Sequence, residues 1–293
     1  MLKKVLSASR KLLILPILFG ICSCSKSQTH PKPDKGILFV AFGTSIPRAK
    51  KSYENIDRIA KKEFKGIPIY WAYTSSFIKK KLARQGIETD SITQALNKMN
   101  RDGIRQVTVQ SLHINNGSEY EKIIKDVEAF KSSFDSINIG MPLLISSTDL
   151  EKFSKALDTV VPAERTKDDA IILMGHGNHN GIGDLTFMAV ANELNKKDNK
   201  IFLGTVEGKP TFDEMHEALK NAGIEKAFLI PMMVVAGDHA INDLAGPEED
   251  SWKTMLENDG IKCVPVLRGL GENDEMVAIF VDHLKKAMTN KPK

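Results

Sequence analysis

Residues 103–119 (GIRQVTVQSLHINNGSE) and residues 223–239 (GIEKAFLIPMMVVAGDH) align residue for residue without a gap. Each stretch begins with glycine, continues as an apolar run typical of a β-strand, and ends in a loop of small and polar residues. Two earlier pairs of segments also align, 37–44 with 169–176 and 69–75 with 201–207. The alignment sets Thr44 opposite His176, Ser75 opposite Glu207 and Glu119 opposite His239. This internal repeat predicts two similar halves.

Short apolar runs alternate with longer segments of helical periodicity along the chain. Strands are predicted at residues 37–42, 67–73, 106–114, 170–174, 200–206, 226–235 and 262–267. Segments such as 49–64 and 211–222 carry apolar residues at helical spacing. The alternation predicts an α/β fold with parallel sheets, in which ligands bind beyond the carboxyl ends of the strands. We expect an N-terminal half at residues 36–150 and a C-terminal half at residues 165–293, joined near residues 146–168.

The first residues have the features of an export signal. Four basic residues precede an apolar run at 12–21 that is too short, and too interrupted by Pro and Gly, to span a membrane. Residues 21–25 (ICSCS) resemble a bacterial lipobox, in which Cys24 is lipidated; an ordinary signal peptide cleaved nearby is the alternative. We therefore expect a lipoprotein signal peptide at 1–23 and a flexible tether at 24–35. The protein would be exported and lipid-anchored in the bacterial envelope, in the periplasm or at the outer membrane.

Composition excludes several classes of protein. With 293 residues, of which 42% are hydrophobic and 27% charged, the chain is neither disordered nor collagen-like. The basic residues of the leader account for the whole formal charge of +4, so we expect no nucleic-acid partner. Beyond the leader and Cys24, only Cys263 remains, which excludes a disulfide framework and a cysteine-based metal site.

Polar residues follow three strands of the predicted second half. His176, Glu207 and His239 each come just past an apolar run, and Glu119 occupies the matching place in the first half. Carboxyl ends of parallel strands share one edge, so these side chains can form one site, although a single histidine after a strand is usually an ordinary loop residue. Two imidazoles and a carboxylate suit cobalt, iron, nickel or zinc. Glycines beside them, Gly177 and Gly237 among them, leave space for a bulky ligand.

The remaining candidates are weaker. His179 is close enough in sequence to line the same cleft, whereas we expect His216 and His283 at the surface and His113 packed within its strand. Asp238 could orient His239 or be an exposed turn carboxylate. The chain lacks a Walker-type phosphate loop, a dinucleotide-binding glycine pattern and a nucleophile elbow, which disfavours hydrolase and dehydrogenase functions.

Five motifs together resemble a known family. They are FVAFGTS (39–45), SLHINNGSEYE (111–121), LMGHGNH (173–179), TVEGKP (205–210) and VAGDHA (235–240). In this order they are similar to the anaerobic sirohydrochlorin cobaltochelatases, the CbiK family of class II chelatases, from about residue 36 to the C-terminus. The resemblance implies two Rossmann-like halves with a tetrapyrrole in the cleft between them.

The resemblance also implies roles for individual residues. His176, Glu207 and His239 would bind the metal, with cobalt favoured and iron as the other candidate. His176, Glu119 and His239 would act in catalysis, with Glu119 taking protons from the tetrapyrrole. We also expect the tetrapyrrole, sirohydrochlorin or haem, to be contacted by Glu119, Gly43, Thr44, Gly177 and Gly237.

The export signal leaves a second hypothesis open. Corrin synthesis takes place in the cytoplasm, whereas Cys24 would send this protein to the envelope. The first hypothesis is a chelatase that inserts a divalent metal into sirohydrochlorin or a related tetrapyrrole. The alternative is an envelope haem-binding lipoprotein that takes up haem or removes its iron, with an outer-membrane receptor as partner. A homo-oligomer is compatible with either.

Overall fold

Eight parallel strands form two four-stranded sheets in residues 33–290, the part of the chain that the computed structural model describes. The predicted signal peptide at 1–23, Cys24 and most of the predicted tether lie outside the described residues. The first sheet has the order β2-β1-β3-β4 and the second the order β6-β5-β7-β8. The two sheets therefore have the same topology, which confirms the predicted α/β fold and the internal repeat.

The bounds of the elements are as follows. The strands are β1 Lys35–Ala41, β2 Ile69–Tyr73, β3 Gln106–Ser111, β4 Ser136–Gly140, β5 Ala170–Gly177, β6 Ile201–Glu207, β7 Lys226–Pro231 and β8 Lys262–Pro265. The α-helices are α1 Lys51–Glu63, α2 Ser76–Ala83, α3 Ile92–Arg101, α4 Ser118–Glu128, α5 Ser147–Val160, α6 Asp184–Lys197, α7 Phe212–Asn221, α8 Trp252–Asn258 and α9 Asp274–Thr289. None of the helices in residues 33–290 is both long and apolar enough to cross a membrane.

Helices cover both faces of each sheet. The central strand β1 is buried from Gly36 onward because α3 and α4 pack on one face and α1, α5 and α9 on the other. The helix α3 illustrates the local code: Ser91 and Gln94 form a capping box at its start, and apolar residues at helical spacing face the sheet. Between the two sheets lies one continuous hydrophobic core with contributions from both halves.

The last helix crosses between the halves. The helix α9, which belongs in sequence to the predicted C-terminal half, packs against β3 and β4 of the first sheet. His283 of α9 is buried, with Nε2 2.9 Å from Oδ1 of Asp149 and Nδ1 3.2 Å from the carbonyl oxygen of Met141. The expectation of a surface position for His283 was wrong, because this residue lies on the apolar face of α9, where Phe280 and Leu284 are also buried.

The contact between Asp149 and His283 stabilises the fold. Burial raises the pKa of its carboxyl, but hydrogen bonds from Ser146 and His283 outweigh burial, and the pKa lies below its ordinary value. A buried carboxylate with a depressed pKa stabilises the fold above the pKa of the unfolded chain, and this contribution is lost as the pH falls through the folded-state pKa. The contact therefore helps to hold α9 on the first half at neutral pH.

Two predicted strands end three or four residues earlier than expected. The apolar runs predicted strands at 106–114 and 226–235, but β3 ends at Ser111 and β7 at Pro231. The registered pairing of β3 with β1 ends at Ser111, and that of β7 with β5 ends at Pro231. The following apolar residues, such as Leu112 and Met232, are buried although they lie in loops. These buried loops carry candidate residues at the carboxyl edges of the sheets.

The repeat has a register that differs from the sequence alignment. Ile37 of β1 faces Ile69, and Ile171 of β5 faces Ile201, so Ile37 and Ile171 are structural counterparts. The sequence alignment had matched residue 37 with residue 169. Side chains alternate between the two faces of a strand, so a shift of two residues leaves the apolar pattern in phase. The pattern alone therefore could not detect this slip.

Candidate active site

The candidate residues of the second half lie at the carboxyl edge of its sheet. His176 is near the end of β5 and Glu207 is the last residue of β6, its neighbour. His239 follows β7 and directly precedes a π-helical turn, Ala240–Leu244. The structural counterpart of His176 in the first half is Phe42, because of the shift of two residues in β1, and not Thr44 as the sequence alignment indicated.

The structure brings the two histidines together. The ring centroids of His176 and His239 are 4.6 Å apart, with an angle of 89° between the ring planes. Nδ1 of His176 is 3.1 Å from the carbonyl oxygen of Gly177, and Nδ1 of His239 is 2.5 Å from Oδ2 of Asp243. Both partners are acceptors, which assigns the hydrogen to Nδ1 in each ring. In the neutral ring this tautomer keeps a lone pair on Nε2, which is the atom that can bind a metal.

Asp243 is a residue that the sequence analysis missed. It lies four residues after His239, a spacing that places both side chains on one side of a helical turn. The other carboxylate considered, Asp238, is exposed and makes no hydrogen bond to His239 in the described part of the chain. The spacing of four residues was visible in the sequence, but the helical turn that brings the two side chains together was not predicted.

The pairing of β6 with β5 places Glu207 beside Gly177, the residue after His176, but the Glu207 side chain contacts His179. It pairs with Gly177 across β5 and β6, and a Cβ at Gly177 would lie 1.4 Å from the carbonyl oxygen of Glu207. Gly177 also has a φ of 76°, so only glycine fits this close approach. The Glu207 side chain contacts Nε2 of His179 at 2.9 Å, and His179 is 83% exposed. Within residues 33–290, no three His, Cys, Asp or Glu side chains converge as a ready metal site.

Loops of the first half face these residues across the cleft. Glu119 lies in the first turn of α4, next to Ser118, whose hydroxyl accepts a hydrogen bond of 2.7 Å from the side chain of Asn178. Asn115 donates to the carbonyl oxygen of Gly183 at 3.4 Å. The start of α4, which carries Glu119, thus touches the loop that follows His176. The predicted placement of Glu119 opposite the two histidines remains consistent with these contacts.

Gly43 and Thr44 form a second contact between the halves. A Cβ at Gly237 would lie 3.6 Å from the hydroxyl oxygen of Thr44, so these two residues are neighbours across the cleft. Gly43 has a φ of 101°, and a Cβ there would lie 2.8 Å from the ring of Tyr73. Its amide donates to the hydroxyl of Tyr53 at 3.2 Å. The structure thereby groups three of the predicted ligand-contacting residues, Gly43, Thr44 and Gly237.

Apolar side chains near the cleft divide into two groups. Met232 is buried in the core, whereas Phe42 and Phe77 are 46% and 70% exposed. Leu185 and Met188, at the start of α6, are also exposed, at 81% and 50%. These exposed residues offer apolar surface to a flat ligand, while Met232 serves packing.

Comparisons with known proteins agree on one family. The sequence model of the cobalt chelatase family CbiK matches residues 35–289. The sirohydrochlorin cobaltochelatase CbiKC of Nitratidesulfovibrio vulgaris is 36% identical over 279 residues, which are 94% of this chain and 99% of that protein. The sirohydrochlorin cobaltochelatase of Salmonella typhimurium is 36% identical over 257 residues, 87% of this chain and 96% of that protein.

A solved structure supports the same fold. SirB from Bacillus subtilis, determined with Fe3+, superposes with a TM-score of 0.61 at 14% identity, covering 88% of this chain and 97% of that one. At this identity the likeness concerns the fold alone. The family model and the two curated relatives, which extend over nearly the whole described chain, show that this protein belongs to the CbiK family of cobalt chelatases.

Proposed function

We propose that this protein is a metal chelatase that inserts a divalent metal ion, with cobalt as the favoured ion, into sirohydrochlorin. The observation that carries the proposal is the pair of imidazoles, His176 and His239, whose rings are in contact and whose Nε2 atoms have no hydrogen-bond partner within residues 33–290. The names of the two curated relatives support the choice of metal and tetrapyrrole.

The metal substrate would be bound by His176, His239 and Glu207. Imidazole and carboxylate donors suit cobalt and other borderline divalent ions. The Glu207 side chain is 27% exposed and its carboxylate pairs with the exposed side chain of His179, so it can exchange this partner for the ion without disturbing the core. Loading would then require a rotation of the Glu207 side chain and no movement of the sheet.

Insertion also requires the removal of two protons from pyrrole nitrogens. A carboxylate within hydrogen-bond reach of the ring can accept such a proton. Glu119 is the acidic residue that the first half offers to the cleft, and its loop is fixed to the second half through Ser118 and Asn178. We assign it the role of acceptor for the two protons in turn, on the side of the ring opposite the metal, with the first proton released to water before the second is taken. His239 could take a proton only while it is not bound to the ion.

The tetrapyrrole would lie between the loops of the two halves. The exposed rings of Phe42 and Phe77 can stack on or against a flat macrocycle. Gly177 and Gly237 allow the ring to approach the backbone beside the two histidines, and Gly43 and Thr44 border it from the first half.

We also propose that the protein is exported and anchored in the bacterial envelope through a lipid on Cys24. The support is the sequence of the leader, a basic segment and a short apolar run followed by a lipobox-like motif. Labelling cells with a radioactive or clickable fatty acid tests this. Label on the wild-type protein and none on a Cys24→Ala variant is expected, and equal labelling of both would contradict the anchor.

The proposed activity is tested with purified protein, cobalt and sirohydrochlorin. The expected result is a catalysed change of the tetrapyrrole absorption spectrum to that of the cobalt complex, well above the rate without protein. A parallel titration with haem, followed in the Soret band, measures the competing hypothesis. Saturable binding of haem at micromolar concentration together with no cobalt insertion would overturn the proposed function.

A further inference from the structure

Two shielded polar atoms in the first half of the site have no hydrogen-bond partner among the described residues. They are Nε2 of His113 and Oε2 of Glu119. His113 follows the end of β3, and Glu119 lies six residues later in the first turn of α4. Shielded polar atoms without partners are costly, so their presence between β3 and the first turn of α4, beside the cleft, calls for an explanation.

The other nitrogen of His113 has a defined partner. Its Nδ1 is 3.0 Å from the hydroxyl oxygen of Ser111, a residue that is fully buried at the end of β3. If the hydroxyl donates to Nδ1, then Nε2 carries the hydrogen of the neutral ring and can only donate. The ionised carboxylate of Glu119 can only accept. The two unpartnered atoms are therefore chemically complementary.

The charge of His113 fits such a pairing. Burial lowers the pKa of the His113 imidazole to about 4. The carboxylate of Glu119 raises this pKa, and the nearby ammonium of Lys122 lowers it. Lys122 itself is tied to the carbonyl oxygen of Thr74 at 2.8 Å. A neutral imidazole can orient a carboxylate without compensating its charge, whereas a cation in the same place would make the carboxylate a weaker base.

We propose that His113 is a positioning residue for Glu119. As a neutral donor it would bind Oε2 of Glu119 once the tetrapyrrole is in place, which leaves Oε1 to accept the pyrrole proton. Hydrogen bonds of catalytic groups are often open without substrate and close in the complex. This inference deepens the proposed function and rests on it.

Two substitutions of His113 separate this role from packing. His113→Gln keeps a neutral N–H donor, whereas His113→Leu fills a similar volume without one. His113→Leu should lower kcat for cobalt insertion by about 10- to 100-fold, and His113→Gln should stay within about threefold of wild type. KM for cobalt should not change in either variant, because the metal-binding residues lie on the second half. The control His216→Leu removes an imidazole of α7 that contacts Asp259 and has no contact with His113 or Glu119 in the described structure, and it should retain the wild-type kcat.

The measured kcat values separate a failure of the role proposed for His113 from a failure of the proposed function. Wild-type kcat in a folded His113→Leu variant, or equal losses in the two His113 variants, would overturn the inference while the proposed function stands. If His113→Leu does not fold, Ser111→Ala replaces it: loss of the hydroxyl should lower kcat several-fold at constant KM, and an unchanged kcat would overturn the inference. If the wild-type protein inserts no cobalt, the proposed function fails, and the inference fails with it.

Discussion

Replacing Asp243 by asparagine should weaken cobalt binding by about tenfold. In the wild-type protein the Asp243 carboxylate accepts a hydrogen bond of 2.5 Å from Nδ1 of His239, which keeps Nε2 free for the metal. The amide of an Asp243→Asn variant can accept only a weaker bond. It can also present its NH2 group to Nδ1, and the hydrogen of the ring then moves to Nε2, where it blocks coordination.

The size of the effect follows from the exposure of the pair. A hydrogen bond to a charged group contributes about 1.5–3 kcal/mol. The side chains of His239 and Asp243 are 39% and 41% exposed, so water competes for both groups and the lower end of this range applies. A loss of about 1.4 kcal/mol corresponds to a tenfold change in the dissociation constant.

Isothermal titration of the tetrapyrrole-free protein with Co2+ measures this directly. Asp238→Asn is the matched control, because this substitution removes the same charge next to His239, whereas the Asp238 side chain is exposed and makes no hydrogen bond to the ring in the described part of the chain. The control should bind cobalt with wild-type affinity. The reasoning is refuted if Asp243→Asn binds cobalt as tightly as wild type, or if the control is weakened equally, since the effect would then be one of net charge.

Three further predictions concern the neighbouring residues and the fold. His179→Ala should leave the Co2+ affinity within about threefold of wild type and Glu207→Ala should lower it about tenfold in the same titration; equal losses would identify His179 as a ligand. Asp149→Asn should lower the free energy of unfolding, measured in urea, by about 3 kcal/mol at pH 7. The difference in unfolding free energy between this variant and the wild type should become smaller below about pH 4, and a difference independent of pH would contradict the depressed pKa of Asp149. Gly177→Ala should lower the free energy of unfolding more than Gly181→Ala does. Both glycines have a positive φ, but a Cβ at Gly181 would have its nearest contact at 3.4 Å, so that substitution should cost only about 1 kcal/mol. Equal unfolding free energies for the two variants would exclude the overlap of a Cβ at Gly177 with the backbone of Glu207.

The sequence predicted the α/β fold because short apolar runs alternate with segments of helical periodicity, and because two copies of this pattern supported each other. The strand β4 was missed, since Ser136–Gly140 is short and only partly buried, and a strand of this kind has a weak apolar signal. The sequence alignment of β1 with its counterpart β5 was wrong by two residues for a different reason. Period-two alternation is unchanged by such a shift, and only hydrogen-bond pairing can reveal it.

The candidate site was predicted as far as strand ends could define it. His176 and His239 were selected because both follow apolar strands, and the structure places their rings in contact. The contact of Glu207 with His179 could not be foreseen, because it depends on side-chain rotation in an exposed loop. His113 was assigned to packing because the apolar run seemed to continue past Ser111, where β3 in fact ends.

The rate of cobalt insertion into sirohydrochlorin by the His176→Ala/His239→Ala variant tests the central claim most directly. The account predicts that the double variant loses nearly all catalysed insertion while it remains folded. A His216→Ala variant, which removes an imidazole on α7 instead, should insert cobalt at the wild-type rate. Insertion by the double variant at the wild-type rate would contradict the assignment of these two histidines as the residues that hold the metal over the ring.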